Sequence, residues 1–218
     1  MRVRDLVGIT RQRQRQATRL MQLSLVGFLF VGVYEFNLGV VVNAALALIV
    51  TQLPAILERD YDIPMDAGLT LWITAAVFLH ALGTVGLPGM ATNFYASVGW
   101  WDHLTHGLSS SMVAAAGYAT ARAVDEHVED LYFPPKFTFA YILSVTLAFG
   151  VFWEVIEFAV GGLSQFVGTN SALTQYGVGD TMLDLVFDAV GAVIVATWGT
   201  AHLVDVSEAL RARLESRD

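Results

Sequence analysis

Apolar residues in this chain come in long runs, with polar residues concentrated in short intervals between the runs and at a few positions inside them. About 20 apolar residues cover a hydrocarbon core of ~30 Å as a helix, so each run reads as one membrane span. Six spans are expected, at 20–34, 39–57, 69–87, 98–121, 137–163 and 181–204. The expected fold is all-α, an integral membrane bundle of about six transmembrane helices over 20–204. A basic cytoplasmic segment, 1–19, precedes it and a cytoplasmic tail, 205–218, comes after it. Ala45-Leu46-Ala47 imitates the cleavage site of a secretory signal. Apolar sequence nevertheless continues to Leu57, and Glu35 interrupts the run that a signal would keep intact, so two spans joined by a tight turn at 35–38 are the better reading.

Charge tests the span count, because Lys and Arg concentrate in cytoplasmic loops. With six spans, all 12 basic residues fall on one side, including Arg59, Arg122, Lys136, Arg211 and Arg213, and the intervals 35–38, 88–97 and 164–180 have none. Both termini are therefore expected in the cytoplasm of a cell (inner or plasma) membrane protein, with the basic amino terminus on anionic lipid headgroups. Tyr34, Phe94, Tyr95, Trp100 and Trp101 would form the outer aromatic belt, and Trp72 and Trp198 the inner one. Composition agrees: 55% of the 218 residues are hydrophobic and 15% charged, against about 25% charged in soluble domains. The absence of cysteine excludes disulfides and thiolate metal sites. A net charge of −8 speaks against a nucleic-acid partner.

The informative residues are the polar ones inside the spans. Glu35, Asp102, Glu154, Glu157, Asp180, Asp184 and Asp188 lie within about two turns of the outer face, with His103 and His106 and with no Lys or Arg. Ionisable groups at such depth face the bundle interior or a watery cavity and are functional candidates. Gathered carboxylates cannot all ionise together without compensation, so they share protons or hold cations. Helical spacing brings them onto common faces: Asp102 and His106 in WWDHLTH, Glu154 and Glu157 in FWEVIEF, and Asp180, Asp184 and Asp188 in GDTMLDLVFDAVGA. The last three descend one stripe for about 12 Å, and Asp180 is also placed to cap its helix. Carboxylates with imidazole suit a divalent metal ion, with His favouring Mn, Fe or Zn and oxygen ligands admitting Mg or Ca. The expected ligands are Asp102, His106, Glu154, Glu157 and Asp184. Glu35, His103, Asp180 and Asp188 are expected at the periphery, as is His80, midway along the third span. His202 is expected at the inner interface. The outer interval 164–180 carries Gln165, Thr169, Asn170, Thr174 and Gln175 among turn-forming glycines, and its length suits a lid, a binding element or a plain connector.

WWDHLTH, FWEVIEF, FVGTN and GDTMLDL, in this order at the outer ends of successive spans, resemble the YjdF family of inner-membrane proteins over about 53–196. The resemblance implies a multi-span membrane fold and no particular activity. It matches Asp102, His106, Glu154, Glu157, Asp180 and Asp184 to the family's recurrent polar positions. His103 stands where some members carry Arg, and Gly177 where some carry Asp. A fainter likeness to VanZ-type membrane proteins is an analogy of fold.

Three functions compete. A metal-binding membrane protein could work as an enzyme at the outer surface, the ion lowering the pKa of a bound water and a remaining Glu serving as general base, on a lipid or small polar substrate. A cation or proton transporter would use Asp184 and Asp188 as a ladder inward. A structural protein would use the network as glue between helices, although single hydrogen bonds in membranes contribute only about 0.6 kcal/mol.

Overall fold

The computed structural model describes residues 9–86, 92–128, 130–167, 173, 177–198 and 200–216, the side chains of 198 and 200–202 excepted. Its described elements are α1 (Arg11–Tyr34), α2 (Leu38–Val50), α3 (Leu53–Tyr61), α4 (Ala67–Gly83), α5 (Phe94–Ser97), α6 (Trp101–His127), α7 (Pro135–Val167), α8 (Val178–Trp198) and α9 (Thr200–Glu215). Among the described residues there is no strand, and the fold is an all-α membrane bundle. By length and apolar composition, Arg11–Tyr34, Leu38–Tyr61 and Pro135–Val167 can each cross a membrane, and Ala67–Gly83 is a shorter apolar helix. Helices α6 and α8, with 27 and 21 residues, are about 40 and 31 Å long at 1.5 Å per residue, but carry the acidic and imidazole groups.

Local chemistry sets the helix ends. The Thr10 side chain accepts from the Arg13 amide, so α1 starts at Arg11 and takes up the second half of the basic segment. At its other end Phe36 has φ 53°, and the amides of Phe36 and Asn37 donate to Val33 O and Gly32 O. That is the Schellman pattern, and Asn37 then caps α2 by accepting from the Val40 amide. The turn expected at 35–38 is this reversal, with Glu35 exposed in it. Pro54 lies in the first turn of α3, separating it from α2 at Thr51-Gln52, since proline lacks the amide that would continue the ladder. The segment 205–215 is helical as part of α9.

Two packing groups result. Helices α1, α2 and α4 meet around Leu25, Ala47 and Ala81. The other group joins α6, α7, α8 and α9 around Ala114, Ala115, Ile142, Ala192, Val195 and Leu203, and α4 also packs on α6. The α6–α8 pair has the most extensive contact. A Cβ added at Gly191 would overlap the Ser110 hydroxyl and come within 3.1 Å of the Ser111 amide, and one at Gly107 would reach 3.5 Å from the Phe187 carbonyl. Small residues thus bring the two backbones together, the usual basis of close helix packing in membranes. Outside, α7 and α8 present Phe149, Phe152, Phe158, Leu183, Val186 and Val190 as exposed side chains, a surface that suits lipid and not water.

Of the aromatic residues expected in the outer belt, Tyr34 and Trp100 are exposed. Trp101 is buried, and its indole N–H donates to Leu79 O at 3.1 Å. Tyr95 turns inward to bond His80. Tyr95 thus ties α5, and Trp101 the start of α6, to the end of α4. Trp72 packs partly buried beside the Ile142 cluster. The Trp198 and His202 side chains lie outside the described residues.

Candidate functional site

The start of α6, the start of α8 and the middle of α7 converge at one end of the bundle. Helical periodicity turns Asp102, His103 and His106 of α6 toward α8, and the tight α6–α8 contact brings Asp184 and Asp188 against them. His106, Glu154, Glu157, Asp184 and Asp188 are all buried. One ligand atom from each of Asp102, His106 and Asp184 lies within 4.8 Å of the other two, close enough to hold one metal ion. His106 Nε2 is 3.7 Å from Asp102 Oδ1 and 4.0 Å from Glu154 Oε1, and its other nitrogen, Nδ1, is 3.4 Å from Asp188 Oδ1. The imidazole is therefore flanked by carboxylates on both edges.

The remaining members are tied in around this centre. His103 Nδ1 lies 3.2 Å from Asp184 Oδ1, and its ring stacks on Phe187 at 4.7 Å between centroids. Its position on α6 thus serves Asp184. Thr181 donates its hydroxyl to Glu154 Oε2 at 2.7 Å, linking α8 to α7. Glu157 accepts from the Trp153 indole at 3.1 Å, one turn away on the same helix. Asp180 is the third residue of α8, so its place is the first helical turn and not the cap; a carboxylate there complements the helix dipole. His80 bonds the Tyr95 hydroxyl through Nδ1 at 2.8 Å and meets the Trp153 ring edge-on at 5.8 Å. It stands beside the cluster on a different helix. Glu35 is exposed in the α1–α2 turn, outside the buried group. Gln165 is exposed near the end of α7, while Thr169, Asn170, Thr174 and Gln175 lie outside the described residues.

Three contributors escape a reading based on acids and histidines alone. Thr181 is three residues before Asp184 and shares its face, and Trp153 is four before Glu157, so both have a helical spacing that could have been followed. Gly150 carries no such signal. A Cβ at that position would overlap Asp188 Oδ2, so the absent side chain is what lets the Asp188 carboxylate sit against α7.

Among the described residues, no Lys or Arg compensates the carboxylates of the site. The ion pairs within it join carboxylates to histidines, and no Lys or Arg occurs between 60 and 121 or between 137 and 210. Burying several carboxylates in this way requires protons or a bound cation.

Fold and site together define a helical membrane protein with a carboxylate and imidazole cluster buried at one end of its bundle. Residues 17–205 match the family described as "Predicted membrane protein (DUF2238)", and the chain belongs to that family. It is 29% identical over 143 residues to an "Uncharacterized protein" of Thermotoga maritima, an alignment covering 66% of this chain and 67% of the relative. No solved structure matches.

Proposed function

We propose that this protein holds a divalent metal ion at one end of a six-span bundle, on Asp102, His106 and Asp184, with Glu154 beside them. The observation that carries this reading is the 4.8 Å clustering of three donors, two of them buried, in a region without Lys or Arg. An ion on Nε2 would leave Nδ1–H facing Asp188, which orients the ring as carboxylates commonly do behind metal-bound histidines. Asp188 is then a positioning residue, and His103 does the same for Asp184. Glu157, outside the donor triad, supplies a candidate general base should the ion activate water. One His and two carboxylates fit Mn, Fe or Zn, and the oxygen excess also admits Mg or Ca.

The residues beyond Asp188 favour a resident ion over a conducted one. The buried face of α8 continues as Gly191, Ala192 and Val195, which give a migrating ion or proton no next carrier. We also propose the YjdF-type family name, a plasma-membrane location and both termini in the cytoplasm, supported by the basic residues of α3, α6 and α9 at the end opposite the cluster. Arg213 reaches Asp60 O there at 3.1 Å. The decisive test is elemental analysis of purified protein with and without Asp184→Asn. Stoichiometric Mn, Fe or Zn in the parent and its loss in the variant is expected; equal content in both overturns the site.

A further inference from the structure

Behind the metal-site candidate lies a cavity of about 360 Å³. Its walls come from α2, α4, α6, α7 and α8, so it occupies the seam between the two packing groups. Leu46, Val50, Val77, Met112, Val113 and Phe149 make most of the lining apolar. Several polar residues in the wall bond locally: Thr105, Ser110 and Thr146 donate their hydroxyls to Asp102 O, Gly107 O and Ile142 O, and Asn43 donates its amide to Gly39 O. His80, His106 and Asp188 border the space at one end, and Ser109 adds a hydroxyl to the α6 wall.

Two features point to an occupant. Asp188 is 3% exposed, yet its Oδ2 receives no hydrogen bond among the described residues, while Oδ1 faces His106. A buried acceptor left in this state is costly, and a ligand donor would relieve it. The second feature is the mouth. Helices α2 and α7 flank the cavity without packing extensively on one another, and Leu46 and Phe149 on their facing edges are 49% and 51% exposed. In a membrane this opening faces hydrocarbon. From Thr105 to Val113 the cavity runs along α6 for about 12 Å at 1.5 Å per residue, and a single hydrocarbon chain can lie along that length between the apolar walls.

We infer that the cavity binds a lipid alcohol that enters between α2 and α7, its chain lying along α6 and its hydroxyl donating to Asp188 Oδ2. The hydroxyl then sits behind His106, within the same cluster that is proposed to hold the ion. A lipid alcohol is thus a substrate or ligand class that rests on the proposed site and that the metal ion alone leaves open. Chain capture does not require the ion, so both chelator-treated and Mn-loaded protein are informative.

The test uses the full chain in lipid nanodiscs with a photoreactive hexadecanol and its methyl ether, which has the same chain and no donor. Crosslinks are expected on Val50, Val77, Met112 or Val113 with and without the metal. The alcohol should be captured about ten-fold better than the ether, as one hydrogen bond to a buried carboxylate allows. Leu46→Trp, at a half-exposed position, should suppress capture while metal content is unchanged. Crosslinks confined to lipid-facing residues such as Phe30 and Phe166, or equal capture of alcohol and ether by the unmodified protein, would overturn the inference. The alcohol and ether pair needs no variant, so a misfolded Leu46→Trp cannot decide the outcome.

Discussion

The two ends of this bundle treat carboxylates in opposite ways. At one end Arg122 closes on Glu126 at 2.6 Å, and Arg213 lies 4.9 Å over the Tyr61 ring and 3.8 Å from Asp62. Those acids have guanidinium partners and water nearby, and such pairs contribute little to stability. At the other end Glu154, Asp184 and Asp188 are 5%, 2% and 3% exposed, and their ion pairs are with histidines. Removing a buried charge from its partners is costly. The same residue type is thus solvated decoration at one end and the substance of a site at the other; the difference lies in burial and in the sign of the neighbours.

For this contrast to hold, the two ends must lie on opposite sides of the membrane. Cysteine at Thr169 should react with an impermeant thiol reagent in intact cells, and cysteine at Ser216 only after lysis. This all-or-none difference is readable because the chain has no native cysteine. Labelling of both positions in intact cells would break the two-sided arrangement.

Next in size is the response to metal. Mn or Zn at a hundred times its dissociation constant should stabilise the chelator-treated protein by about 2.7 kcal/mol, raising its thermal midpoint. In Glu154→Gln combined with Asp184→Asn the rise should vanish. An unchanged rise would place the ion elsewhere.

Gly150→Ala makes a smaller, indirect change, because the new Cβ displaces the Asp188 carboxylate without touching a proposed ligand. Metal affinity should fall by about ten to a hundred-fold, the usual cost of losing a partner behind a ligating histidine. Calorimetric titration would show it, and unaltered affinity would remove Asp188 from its positioning role. His103→Gln keeps a hydrogen-bonding group near Asp184 and should cost less than about ten-fold in the same titration. Arg122→Gln at the opposite end should leave affinity untouched and lower stability by under about 1 kcal/mol. A larger loss there would show that the Arg-rich end is not the weakly coupled one.

The all-α membrane fold could be read directly from the chain, since lipid forces backbone groups to pair within helices and long apolar runs report that requirement. Spacing also put Asp102 with His106 and Glu154 with Glu157 on shared faces, because helical geometry is local. Residues whose role depends on distant chain were harder to place. Trp101 looked like a belt residue, and only its contact with Leu79 shows it inside. His103 and Asp188 were expected at the periphery from depth and from a family comparison, yet α6 and α8 approach so closely at Gly107 and Gly191 that both lie within 3.4 Å of a cluster member.

Sequence alone therefore determined the class of protein, the segregation of its basic residues and the set of acids and histidines from which a site could be built. Those properties arise from transfer of side chains into hydrocarbon and from the 3.6-residue turn, both of which act within a single segment. Tertiary structure decided which edge of His106 meets which carboxylate, that Gly150 makes room for Asp188, and that a cavity opens between α2 and α7. Such features depend on the separation and rotation of helices distant in sequence, set by how small side chains on α6 and α8 let two backbones meet.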